Sequence, residues 1–142
     1  MKAATRGRLR DSIKLHEGLR LKPYKDSVGK LTIGFGRNLD DVGIFENEAG
    51  YMLEGDIDRA EQDLLIRYPW AEDIGDVRIA VFTEMSFNLG AKRFAGFKRM
   101  LAAAQAGNVD LVAVEMLDSK WFDQVGNRAL TLAERYRTGE WI

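Results

Sequence analysis

Residues Glu17 to Gly36 read EGLRLKPYKDSVGKLTIGFG, and this stretch decides the reading of the chain. It places an acid, a second acid and a hydroxyl in the order Glu17, Asp26, Thr32. Pro23 and Gly29 supply turn signals between them, and a β-rich run ends in Gly34 and Gly36. Cleaving a glycosidic bond calls for two carboxyl groups across a cleft, one to donate a proton and one to handle water or the sugar cation. A carboxyl at a helix end and another on a nearby hairpin could be held that way. Taken residue by residue, other readings stand. Glu17 could simply close a helix, Asp26 could cap its own turn, and Thr32 could reflect β propensity.

Periodicity outward from this stretch predicts the elements. Leu9, Ile13 and Leu19 suggest a helical stripe, with a helix from about Arg8 to His16 and Gly18 suited to its C-terminus. Leu31 to Phe35 reads as a short strand after a turn at Asp26-Ser27-Val28-Gly29, with a second turn at Asp40-Asp41-Val42-Gly43. A small sheet of two or three strands follows. From Glu46 to Arg67, Met52, Leu53, Ile57, Ala60, Leu64 and Leu65 recur at the spacing of one buried helical face. Pro69 ends that helix, which spans roughly 30 Å. Gly50 and Gly55 weaken it, and Phe45 stands where Ser, Thr or Asp is the usual cap. Further stripes follow: Ile79, Phe82, Met85, Ser86 and Leu89; then Phe94, Phe97, Leu101 and Ala104. Asn108 is placed to cap a helix carrying Leu111, Val112, Val114 and Leu117, and a last helix runs from about Gly126 to Tyr136 with Leu130 and Ala133 inward.

Composition narrows the class. The 142 residues are 46% hydrophobic, enough for one core, and the formal net charge of −1 gives no global pull toward nucleic acid. Charge is unevenly spread: residues 1–37 hold ten Lys/Arg against three Asp/Glu, and residues 38–77 hold two against twelve. The acidic stretch reads as a solvated helix face. There is no cysteine and a single histidine, His16, so no thiolate or multi-histidine metal site is expected. No apolar run suggests a membrane span or stable membrane association, and the basic start lacks the apolar core of a secretory signal.

The motif resembles the catalytic stretch of the bacteriophage-type lysozymes. In that family the order is Glu, eight residues, Asp, five residues, Thr, then Ile-Gly-x-Gly; Glu17, Asp26, Thr32 and Ile33-Gly34-Phe35-Gly36 satisfy it without a gap. Phe87-Asn88-Leu89-Gly90, Ala95-Gly96-Phe97, Ser119-Lys120-Trp121, Asn127-Arg128-Ala129 and Arg137-Thr138-Gly139 follow the family's C-terminal order. Between Asn38 and Val77 this chain is shorter than the best-known members. The resemblance implies an α+β lysozyme-like fold: a small antiparallel β lobe (about 18–68, with the connecting helix), a larger helical lobe (about 1–17 and 69–142), and a cleft between them.

It further implies a muramidase. Glu17 is the general acid, Asp26 orients a water for inverting attack, and Thr32 helps hold that water. A general acid must carry its proton near neutral pH, so partial burial of Glu17 is expected. Arg128 supports Glu17 through an ion pair, and Phe87 and Asn88 bind substrate, with Trp121 in hydrogen-bonding reach of Asn88. Arg37 replaces a histidine found in familiar members, and by spacing its acidic partner is Asp56. The implied partner is the peptidoglycan glycan strand, acted on by a monomer without cofactor or metal. Expected localisation is the host cytoplasm, then the cell wall after a separate holin opens the membrane. The alternatives are a weakly catalytic peptidoglycan-binding module, disfavoured by the presence of both acids, and a transglycosylase or chitinase on the same fold.

Overall fold

The computed structural model describes all 142 residues. They form two compact units by internal contacts, Met1–Gly50 and Tyr51–Ile142. The first unit opens with helix α1, Ala3–Glu17, longer at its start than the expected Arg8–His16. Gly18 ends it: its φ of 68° favours glycine, and its amide donates to the Lys14 carbonyl at 3.0 Å. No residue of α1 is buried. Leu9 and Ile13 are half-exposed and, with Phe35, line a groove of about 500 Å³. Leu19 falls outside the helix.

Three antiparallel strands follow in sequential order: β1 (Arg20–Lys25), β2 (Leu31–Gly34) and β3 (Arg37–Asn38). Tyr24 lies opposite Thr32, and Thr32 in turn opposite Asn38, so Thr32 is central in the sheet and buried. The β2–β3 reversal runs through Gly34-Phe35-Gly36, with φ of 69° at Gly34 and 79° at Gly36. Only glycine takes such angles without strain.

Helix α2, Glu46–Arg67, has the bounds its periodicity predicts. Its start explains Phe45. Glu48 reaches back to accept from the Phe45 amide at 2.9 Å, half of a capping box in which the acid replaces the missing cap side chain. Of its expected buried face, only Leu64 is fully buried; Met52, Leu53 and Ile57 are exposed.

The second unit is helical. A short 3₁₀ turn, Pro69–Asp73, leads to α3 (Asp76–Leu89), α4 (Ala91–Phe94), α5 (Lys98–Gln105), α6 (Val109–Leu117), α7 (Lys120–Val125) and α8 (Asn127–Thr138). The Phe94–Ala104 stripe is therefore two helices, not one. The chain turns at Ala95-Gly96-Phe97, where a Cβ on Gly96 would sit 3.1 Å from the Arg93 carbonyl. Asn108 caps α6 as expected, its Oδ1 accepting from the Leu111 amide at 3.2 Å. Leu111, Val114 and Leu130 face out, because Val112, Ala113, Met116, Leu132 and Ala133 take the inner positions.

The core gathers Leu64, Phe82, Met85, Phe94, Met100, Met116, Leu132 and Tyr136. Phe82 stacks on Tyr136 with centroids 4.8 Å apart and meets Phe94 edge-on at 5.4 Å. Burial pushes the Tyr136 phenol up to about 12.

Candidate active site

Glu17, Asp26 and Thr32 all lie in the first unit, and Phe87, Asn88 and Arg128 in the second. Glu17 is the last residue of α1. Its carboxylate is held against the β2–β3 reversal so closely that a Cβ on Gly36 would lie 2.7 Å from Oε2 and 3.0 Å from Cδ. Gly36 is thus required twice, by its backbone angle and by the acid beside it. Glu17 is exposed rather than partly buried, in keeping with a helix that buries none of its residues.

Asp26 follows β1 and is half-buried. Its Oδ1 accepts from the amides of Val28 at 3.0 Å and Lys30 at 2.8 Å, while its own amide donates to the Lys30 carbonyl at 2.9 Å. The turn-capping reading of Asp26 is therefore realised, and Oδ2 is left free of that duty. The Thr32 hydroxyl donates to the same Lys30 carbonyl at 3.0 Å. A hydroxyl has one proton and two lone pairs, so Thr32 meets any further polar partner as an acceptor. The main chain of one residue, Lys30, organises both: its N–H holds the Asp26 carboxylate and its carbonyl takes the Thr32 hydroxyl.

Arg37 does not pair with Asp56. Its guanidinium makes a two-pronged contact with Glu48, at 2.8 and 2.7 Å, and donates to the Gly43 carbonyl at 3.2 Å. Asp56 pairs instead with Arg59 on its own helix. Glu48 lies in the first turn of α2, already turned back toward Phe45; Asp56 lies roughly 12 Å further along the axis. The Arg37 hydrogen bonds, aided by the Phe45 amide, pull the Glu48 carboxyl down to about 2.

In the second unit, Phe87 and Arg128 line one cavity of about 450 Å³ with Leu53, Ile57, Ile79 and Trp141. Phe87 is 47% exposed, so it serves this surface and not the core. Arg128 donates through Nε to Glu84 at 3.0 Å. Glu84 escaped the sequence reading; its signal was an acid one turn before Phe87, within the helix. Asn88 accepts from the indole of buried Trp121 at 2.8 Å, as expected, which fixes the orientation of its amide. No group of three or more His, Cys, Asp or Glu side chains is arranged to hold a metal ion.

The first unit thus carries an acid at a helix end, a turn-held aspartate and a sheet-centred threonine, on an α+β chain. The sequence matches the phage lysozyme family over residues 14–139, and the chain belongs to that family. It is also similar to a protein named probable T4-type lysozyme 2, from Dictyostelium discoideum. The two are 26% identical over 160 aligned residues, covering 92% of this chain and 94% of the relative.

Proposed function

We propose that the protein hydrolyses the β-1,4 link between N-acetylmuramic acid and N-acetylglucosamine in bacterial peptidoglycan, with inversion at the anomeric carbon. The observation that carries this reading is the first unit's polar arrangement. Glu17 is seated on Gly36, and Asp26 and Thr32 both bond the Lys30 main chain. Glu17 gives its proton to the departing sugar oxygen as the C–O bond breaks. A water attacks the anomeric carbon from the opposite face. One water hydrogen points to Asp26 Oδ2, because Oδ1 is committed to two amides. The other points to Thr32 Oγ1, which has only lone pairs to offer once its proton is given to Lys30. That geometry aims a water lone pair at the sugar. The water's lost proton ends on Asp26, and exchange with solvent resets both acids.

Phe87 and Asn88 are assigned the contact with glycan, and Arg128, anchored by Glu84, a supporting role, all three by family resemblance. The biological role that fits is lysis of a bacterial host by a phage or prophage, with a separate holin giving access to the wall. A turbidity assay on killed bacterial cells, with Glu17→Gln and Asp26→Asn beside the wild type, tests the activity. The anomer first formed, followed by NMR, tests inversion. Products that take up no oxygen from labelled water would identify a transglycosylase instead. Clearing by Glu17→Gln at the wild-type rate overturns the assignment.

A further inference from the structure

We propose that Asp41 is a positioning residue: through the Lys30 side chain it clamps the residue on whose main chain Asp26 and Thr32 are both hung. This rests on the reading of those two residues as the water-handling pair. Asp41 Oδ1 accepts from the Lys30 ammonium at 2.8 Å, and its Oδ2 accepts from the Asn38 amide at 2.9 Å. Asn38 closes the loop by accepting from the Asp41 backbone amide at 3.0 Å. The neighbouring Asp40 accepts from the Leu31 amide at 2.8 Å, and the Leu39 amide donates to the Leu31 carbonyl at 2.7 Å. The 38–41 loop therefore grips residues 30 and 31 at three separate points.

Lys30 is the hub of two networks. Its main chain takes Asp26 and Thr32; its side chain takes Asp41. Asn38 lies directly opposite Thr32 in the sheet, so the loop grows out of the strand that flanks the site. The ion pair holds the Lys30 ammonium more firmly charged and the Asp41 carboxyl more readily ionised than usual. Both side chains are largely exposed, at 43% and 56%. Such pairs add little to stability. A conserved fold with a displaced water is accordingly the expected consequence of cutting this one.

The test uses the full chain on short soluble peptidoglycan strands, with kcat and KM measured separately. Asp41→Asn removes the charge of the pair and keeps at most one of the two contacts, because its amide nitrogen must face either the Asn38 donor or the Lys30 ammonium. It should lower kcat roughly tenfold, as a sub-ångström misplacement of a reacting group does, with KM within about twofold and the melting temperature nearly unchanged. Lys30→Met should do the same, the double variant no worse than either single one, and Lys30→Arg should restore most of the rate. In NMR spectra, the Val28 and Lys30 amides, which bond Asp26, should shift in Asp41→Asn. Asp26→Asn is the control. If it loses activity while Asp41→Asn keeps kcat within twofold of wild type, the clamp is overturned and the catalytic reading survives. If both stay active, the catalytic reading fails and takes the clamp with it. Losses that multiply in the double variant, or a change confined to KM, also overturn the clamp.

Discussion

The two units hold their shape by different means. Within Met1–Gly50 the only fully buried residue is Thr32, whereas Tyr51–Ile142 contains every buried apolar side chain, from Leu64 to Tyr136. The first unit depends on glycine-dependent reversals, carboxylates that accept main-chain amides, and ion pairs such as Arg37–Glu48 and Lys30–Asp41. The second depends on interleaved aromatic and aliphatic packing. Directional bonds can set a carboxylate to a fraction of an ångström while adding little to global stability. Close packing adds much stability but leaves no polar atoms free for chemistry. The proposed acid and water-holding residues sit in the unit built the first way.

The largest separation of the two units should come from one variant in each. Phe82→Ala removes a fully buried ring that stacks on Tyr136 and meets Phe94 edge-on. It should cost about 3–5 kcal/mol in urea unfolding. Glu17→Gln should leave the melting curve in place while reducing cell-wall hydrolysis by about 10²–10⁴-fold. A stability loss from the glutamine variant that rivals the alanine variant would erase the distinction.

Gly36→Ala should strike both shape and rate. The residue would be forced to hold a positive φ, at a strain of roughly 1–2 kcal/mol. Its methyl would also meet Glu17 Oε2 at 2.7 Å, so activity should fall further than stability alone explains. Kinetics and calorimetry on the same preparation decide this. An alanine variant of full activity would show that Glu17 does not work from that position.

Acid should loosen the first unit before the second. Glu48 titrates near 2 in the folded chain, against 4.5 for an unpaired Glu. Its folded value is depressed, so its contribution is complete above about 4.5 and fades as the pH falls toward about 2. Asp41 shifts in the same direction. Amides of residues 37–48 should therefore lose hydrogen-exchange protection across that window, and Glu48→Gln should remove the part that Asp41 does not carry. The second unit has one such carboxyl, Glu134 beside Arg137, but its apolar packing does not titrate, so its core should hold its protection longer.

The smallest effect belongs to the helix that the dividing point cuts. Gly50 lies within α2 at ordinary helical angles, and a Cβ there would meet nothing within 4 Å. Gly50→Ala should raise stability by about 0.5–1 kcal/mol in thermal unfolding. A Cβ on Gly55 would come within 3.3 Å of the Arg59 guanidinium, a flexible end, so its gain should be smaller.

Much of this was legible in the chain alone. The bounds of α2, the Asn108 cap, the glycines at Gly18 and Gly36, and the order Glu17, Asp26, Thr32 are local features. Helical period, positive φ and motif spacing are properties of neighbours in sequence, so the sequence carries them. Tertiary structure decided the partners. Arg37 had twelve acids within the following forty residues to choose from, and only the folded start of α2 selects Glu48 over Asp56. Arg128 meets Glu84, and Asp41 takes Lys30. Which face of a stripe turns inward, as at Leu111 and Leu130, was likewise settled by what lay opposite. Periodicity says that a residue has a face. Only the arrangement of the rest of the chain says what that face meets, because charges and apolar groups gain free energy from contact distance, not from their number in the sequence.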